Sequence, residues 1–136
     1  MPMLTTEEYN RYQKQLAISE WDVAKQENLA RAHVLIVGAG GLGVSVIPYL
    51  AAAGVGKLTL IDHDVVELSN LGRQVIYQSD QIGQFKVHLA KAFVEKLNPH
   101  VQVVAIADKF SIGNLALVES VDLVVDCTDN FDTRYL

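Results

Sequence analysis

An α/β fold built on a parallel, doubly wound sheet is predicted by three observations. Four apolar runs rich in β-branched residues, "VLIV" (34–37), "KLTLI" (57–61), "VQVVAI" (101–106) and "VDLVVDC" (121–127), alternate with segments of helical periodicity. Continuous rather than alternating hydrophobicity marks strands buried on both faces, and alternation with helices marks parallel crossovers. The first run passes directly into a G-x-G-x-x-G sequence, and right-handed crossovers then give a Rossmann-like half with strand order 3-2-1-4. At 136 residues, 50% hydrophobic and 20% charged, the chain is sized for one domain with a core of its own.

Two amphipathic helices are expected first. Thr5 or Thr6 ahead of Glu7 and Glu8 opens one that runs to Leu16, and Ser19 with Asp22 opens a second. Residues 1–31 thus form an N-terminal helical segment, and residues 32–136 the sheet, within a single Rossmann-like domain over 1–136. "GLGVSVIPYLAAAGVG" reads as a helix closed by Gly54, with a kink or bound water expected at Pro48, where a backbone N–H is missing. Gln84 to Leu97 carries the next helix, which "NP" stops, and "SIGNLALVES" a short one. The final "DNFDTRYL" resembles the first turns of a further helix capped by Asp129 or Asn130, as if the chain were truncated at its C-terminus.

Composition excludes several function classes. A formal net charge of -5 and a pI near 5.2 oppose binding to nucleic acid or an anionic membrane. The single cysteine, Cys127, excludes an internal disulfide and a four-cysteine zinc site in these residues. It fits a reducing compartment, so a cytoplasmic location is expected. No stretch reaches the ~18 apolar residues of a membrane span, and "MPMLTTEEYN" lacks the pattern of a signal peptide.

Gly38, Gly40 and Gly43 stand after a strand and at the start of a helix, where the turn, the approach of a phosphate and helix-on-sheet packing each need glycine. Helix N-termini offer unpaired N–H groups to anions. Asp62 follows Gly43 by 19 positions, at the end of the second strand, where an acid holds ribose hydroxyls. Both features fit NAD as well as ATP, so a dinucleotide-dependent oxidoreductase stays open at this point. The next loop, "DHDVVELSNLGRQ" (62–74), favours ATP, because Asn70 and Arg73 reach the carboxyl edge of the sheet and Lys86 opens the following helix. A triphosphate needs such cations; a hydride transfer has no evident use for them. Asp129 beside the glycine loop suits Mg²⁺ or a plain helix cap. "DHD" is not expected to bind a transition metal, since alternation in an extended segment turns His63 away from its neighbours. His33, His88 and His100 lie on separate elements, and Tyr9, Tyr12 and Trp21 are expected to pack on the sheet or on a second subunit.

Taken together, "RYQKQ" (11–15), "VLIVGAGGLG" (34–43), "GVGKLTLIDHDVVELSNLGRQ" (54–74), "IGQFK" (82–86), "LNP" (97–99) and "DCTDNFDTRYL" (126–136) resemble the ThiF/HesA/MoeB family, bacterial relatives of the ubiquitin-activating enzymes. The resemblance implies an adenylyltransferase. ATP would activate the C-terminal glycine of a ubiquitin-like sulfur carrier of the ThiS/MoaD type as an acyl-adenylate, in thiamine or molybdenum cofactor biosynthesis. It implies that Gly41 contacts phosphate through its backbone and that Asp62 binds ribose, with Asp64 a second polar contact. Asn70, Arg73 and Lys86 would hold the phosphates, Asp129 would carry Mg²⁺, and Ser69, Gln74 and Asn130 would complete the nucleotide contacts. In a homodimer, the second arginine of the motif R-Y-x-R-Q reaches the neighbouring subunit's site; Lys14 stands there in this chain, keeping the charge and losing the bidentate fork. Phe85 replaces a proline usual before the lysine. Family members are longer, and zinc is expected only in the half that follows, so a non-catalytic nucleotide-binding or dimerisation fragment is the alternative. Cys127, at the end of a buried strand, reads as a core thiol rather than a sulfur acceptor.

Overall fold

The computed structural model describes residues 4–128. Four parallel strands, β1 (His33–Val37), β2 (Lys57–Ile61), β3 (Gln102–Ile106) and β4 (Leu123–Asp126), lie in the order β3-β2-β1-β4, as expected. Val37 stands opposite both Ile61 of β2 and Asp126 of β4, so these strands end level. That register sets Gly38, Asp62 and Cys127 side by side along one edge.

Alternate strand residues feed two cores. Val34, Ile36, Leu58 and Leu60 pack against helix α4 (Gly41–Ala53) through Val44, Ile47 and Ala51, and against α5 (Lys86–Leu97) through Val87, Ala90 and Val94. On the other face Leu35, Val37 and Ile61 meet Phe110, and Leu115 and Leu117, the latter in the short helix α6 (Ala116–Glu119), pack against them. Helix α4 passes through Pro48 as one element.

The N-terminal segment differs from the two helices expected. It forms α1 (Thr6–Arg11), α2 (Gln13–Leu16) and α3 (Val23–Arg31). Thr5 caps α1 with a full capping box to Glu8, but the helix breaks at Tyr12, whose buried hydroxyl accepts a 2.9 Å hydrogen bond from Asn98 Nδ2. Helix α3 starts after Asp22 rather than Ser19, because the Asp22 carboxylate accepts from Lys25 N–H at 2.9 Å. Gln15 Nε2 and Gln26 Nε2 both donate to Ala53 O, at 2.7 and 2.8 Å, and Arg11 Nη1 donates to Leu97 O at 3.0 Å. The segment therefore covers the ends of α4 and α5, at the edge where the strands begin.

Helix α5 starts at Lys86, two residues later than expected. Val65 bridges Phe85 in antiparallel fashion, and Lys86 N–H donates to Asp64 O at 3.0 Å, which holds residues 84 and 85 extended. Strand β4 is shorter than the apolar run that announced it, and β3 begins one residue later.

Candidate functional site

The glycine loop owes its shape to two close approaches. Gly38 has φ +100, and a Cβ there would lie 2.8 Å from Cys127 O; a Cβ on Gly43 would collide with Gly38 O. Gly41 differs, since nothing lies within 4 Å of where its Cβ would be. Here the backbone is open to the cleft. Gly40 caps α4 without a side chain, and among the described residues no acceptor meets the N–H groups of Gly41, Leu42 and Gly43. The positive end of a 13-residue helix thus faces the cleft.

That cleft, of about 390 Å³, runs along the carboxyl edge of the sheet between the glycine loop and the loops after β2 and β3. Asp62 is buried on its wall, with Oδ2 accepting from Ala39 N–H at 2.6 Å and Oδ1 from Asp64 N–H at 2.7 Å. Each oxygen keeps a lone pair for a further donor. Asn70 Oδ1 accepts from Glu67 N–H at 2.9 Å, which leaves its amide nitrogen as the end that can donate into the cleft. The Asn70 carbonyl takes the N–H groups of Arg73 (3.1 Å) and Gln74 (2.8 Å), folding 70–74 into a turn along the rim.

Among the described residues, positive charge in the cleft has no carboxylate partner. Lys86 is only 4% exposed, yet among the described residues no carboxylate lies within 4 Å of its ammonium. Arg73 is exposed, and among the described residues its guanidinium bonds only its own turn, Nη1 to Ser69 O at 3.1 Å. Gln74, 2% exposed, has an Oε1 with no hydrogen-bond partner among the described residues. A buried lysine without a counter-ion is costly unless an anion joins it, so the residues present fit a polyphosphate with hydroxyls nearby.

A ThiF family profile matches residues 12–136. The chain belongs to the ThiF family. It is 44% identical over 135 residues to the adenylyltransferase and sulfurtransferase UBA4 of Saccharomyces cerevisiae, covering 98% of this chain and 31% of that protein. It is 46% identical over 133 residues to the sulfur carrier protein adenylyltransferase of Thermus thermophilus, covering 97% and 49%. Among solved structures, the tRNA N6-threonylcarbamoyladenosine dehydratase TcdA of E. coli in complex with ATP superposes with a TM-score of 0.86 at 27% identity, over 95% of this chain and 53% of that one. This chain spans about a third to a half of the curated relatives it matches, 31% and 49% in these two cases.

In this ThiF-family chain, the structure brings together at the cleft Gly38, Gly40, Gly41, Asp62, Asp64, Asn70, Arg73, Gln74 and Lys86. Gly43 stays buried behind the loop, and Ser69 is exposed outside the cleft, offering its carbonyl to Arg73 rather than its hydroxyl to the site. Lys14, on α2 beside Gln15, sits at the opposite edge of the sheet; a strand of five residues separates the edges by about 16 Å. Asp129 and Asn130 lie outside the described residues. The expectation that His63 turns away is corrected: donor atoms of Asp62, His63 and Asp64 lie within 4.8 Å of one another. β2 ends at Ile61, and the Asp62 carboxylate bonded to Asp64 N–H curls the chain, so strand alternation no longer applies. Both Asp62 oxygens already serve backbone donors.

Lys109, Phe110 and Thr128 also line the cleft and were missed. The rule that loops following parallel strands form the site, applied to "ADKF" after β3, would have found the first two. Cys127 is buried on the cleft floor, and burial, with the Asp126 charge adding to it, pushes its thiol up and keeps it protonated. Among the described residues no helix is long and apolar enough to cross a membrane.

Proposed function

We propose that this chain is the nucleotide-binding part of an adenylyltransferase that activates the C-terminal glycine of a ubiquitin-like sulfur carrier. The observation that carries the reading is the buried Lys86, with no carboxylate partner among the described residues, facing the open N-terminus of α4 across one cleft. Relatives named adenylyltransferases, one of them for a sulfur carrier protein, support it.

ATP supplies an electrophilic α-phosphorus: a carboxylate oxygen of the carrier attacks it, the bond to the bridging oxygen breaks, and pyrophosphate leaves with that electron pair. No proton transfer and no protein nucleophile are required. The chain's own residues bind and neutralise. Asp62 accepts from ribose hydroxyls, with Asp64 beside it. Backbone N–H groups at Gly41 and Leu42, the Asn70 amide, and the Arg73 and Lys86 cations hold the phosphates, while Gln74 Oε1 accepts from a nucleotide hydroxyl. Asp129, with Asn130 next to it, would hold Mg²⁺, which offsets charge on phosphate oxygens. Lys14 serves a second subunit's cleft in a homodimer, because its own cleft lies at the far edge of the sheet. A reducing cytoplasm suits the free Cys127.

The reaction is tested by exchange of labelled pyrophosphate into ATP, with and without ThiS/MoaD-type carriers. Carrier-dependent exchange is expected; tight binding of NAD(H) with no binding of ATP would sink the reading. ATP binding without exchange would instead favour the non-catalytic alternative for these 136 residues.

A further inference from the structure

Ala39, the residue between the first two glycines, is held from both sides by side chains distant in sequence. Its N–H donates to Asp62 Oδ2 at 2.6 Å, and its carbonyl accepts from the Tyr77 hydroxyl at 2.7 Å. The two bonds set two peptide planes. In a trans peptide the C=O and the following N–H point in opposite directions. With Ala39 N–H turned to Asp62, the Gly38 carbonyl is turned away from it, and it lies against Gly43. With the Ala39 carbonyl turned to Tyr77, which is buried and outside the cleft lining, the Gly40 N–H is turned the other way. Gly40 lines the cleft, and its N–H has no acceptor among the described residues.

We propose that Tyr77 is a positioning residue for phosphate binding: its hydroxyl pins the Ala39–Gly40 peptide so that the Gly40 N–H joins the open donors of α4 in facing the nucleotide's phosphates. Glycine neighbours make the pin necessary, since a loop with Gly38 on one side and Gly40 and Gly41 on the other has several accessible peptide orientations. Tyr77 is suited to the task because burial, with the Asp62 charge adding to it, raises its hydroxyl's pKa and keeps it a donor. Thr or Ser at this position would not span the gap from the 74–77 turn. The inference rests on the nucleotide-binding reading above.

Tyr77→Phe keeps the ring and removes the pin. By isothermal titration, the Kd for ATP is expected to rise about tenfold, while the Kd for adenosine, which has no phosphates, stays at its wild-type value. Unchanged ATP affinity, or equal weakening of ATP and adenosine, would overturn the proposal. If the wild-type protein binds no ATP, it is the nucleotide reading that fails. Should the variant not fold, the wild-type protein carries a second test by NMR. The Tyr77 hydroxyl proton is expected in slow exchange with a contact to Gly40, and a rapidly exchanging hydroxyl overturns the pin.

Discussion

Asp62 and Ala39 are joined by a 2.6 Å hydrogen bond across 23 residues, from the Ala39 N–H to the Asp62 carboxylate. The acid at the end of β2 therefore has a structural task in addition to the ribose contact proposed for it. Asp62→Asn can present only one acceptor oxygen to two backbone donors, Ala39 N–H and Asp64 N–H, and leaves one facing an amide NH₂. A loss of about 1–3 kcal/mol of stability is expected in urea denaturation, together with weaker ATP binding. A ribose contact alone would weaken binding and leave stability untouched.

Arg73 and Lys86 should separate stability from function in different ways. Arg73 is exposed and, among the described residues, bonds only Ser69 O, so Arg73→Ala should change stability by no more than about 0.5 kcal/mol. Exchange of pyrophosphate should nevertheless fall at least about tenfold, because a bidentate phosphate donor is gone. Equal loss of folding and exchange would count against that role.

Lys86→Met removes a buried charge that has no partner among the described residues and keeps a similar chain length. Thermal stability is expected to stay level or rise, while exchange falls by about a hundredfold. A destabilised variant with full exchange would show that Lys86 acts only in packing.

Glu7 links α1 to the turn after α5. Its Oε1 meets Arg11 Nη2 at 2.7 Å and its Oε2 meets His100 Nε2, while Arg11 also reaches Leu97 O at 3.0 Å. Hydrogen bonding from Arg11, then from His100, lowers the Glu7 carboxyl below its ordinary value of 4.5. A depressed carboxyl contributes stability that is present above that ordinary value and lost as pH falls through the folded one. Denaturation midpoints between pH 6 and pH 3, on the order of the carboxylate range, should therefore fall less steeply for Glu7→Gln than for wild type. Parallel pH profiles would show that the cluster contributes nothing.

Lys14 lies at the edge of the sheet away from its own cleft, so the proposed trans role predicts complementation. Lys14→Ala and Arg73→Ala proteins should each have low exchange. Random reassortment of the two should restore about a quarter of wild-type activity, because half the dimers are mixed and each holds one intact site. No recovery on mixing would argue against a shared site.

Much of the fold was legible because strand hydrophobicity, caps and turns are local properties. β2 fell where "KLTLI" placed it, and the order β3-β2-β1-β4 is the one that the glycine motif and right-handed crossovers together predict. The failures share a cause. Tyr12 breaks the first helix to satisfy Asn98, 86 residues away; residues 84 and 85 stay extended because they pair with 64–66; and His63 turns toward Asp64 because the strand ends one residue before Asp62. Each depends on a partner that periodicity does not reveal.

Residue type and spacing encode the parallel α/β architecture, the glycine loop at the first crossover and the set of polar residues beyond β2, all of which can be read without a partner in space. Which of those residues meet depends on the packed fold. It buried Lys86 with no counter-ion among the described residues, put Lys14 at the far edge, brought Lys109 and Phe110 to the cleft, and closed Tyr77 onto Ala39 across 38 residues. Level strand ends and packed helices bring together groups that are distant along the chain, and the electrostatics of the cleft exist only once they do.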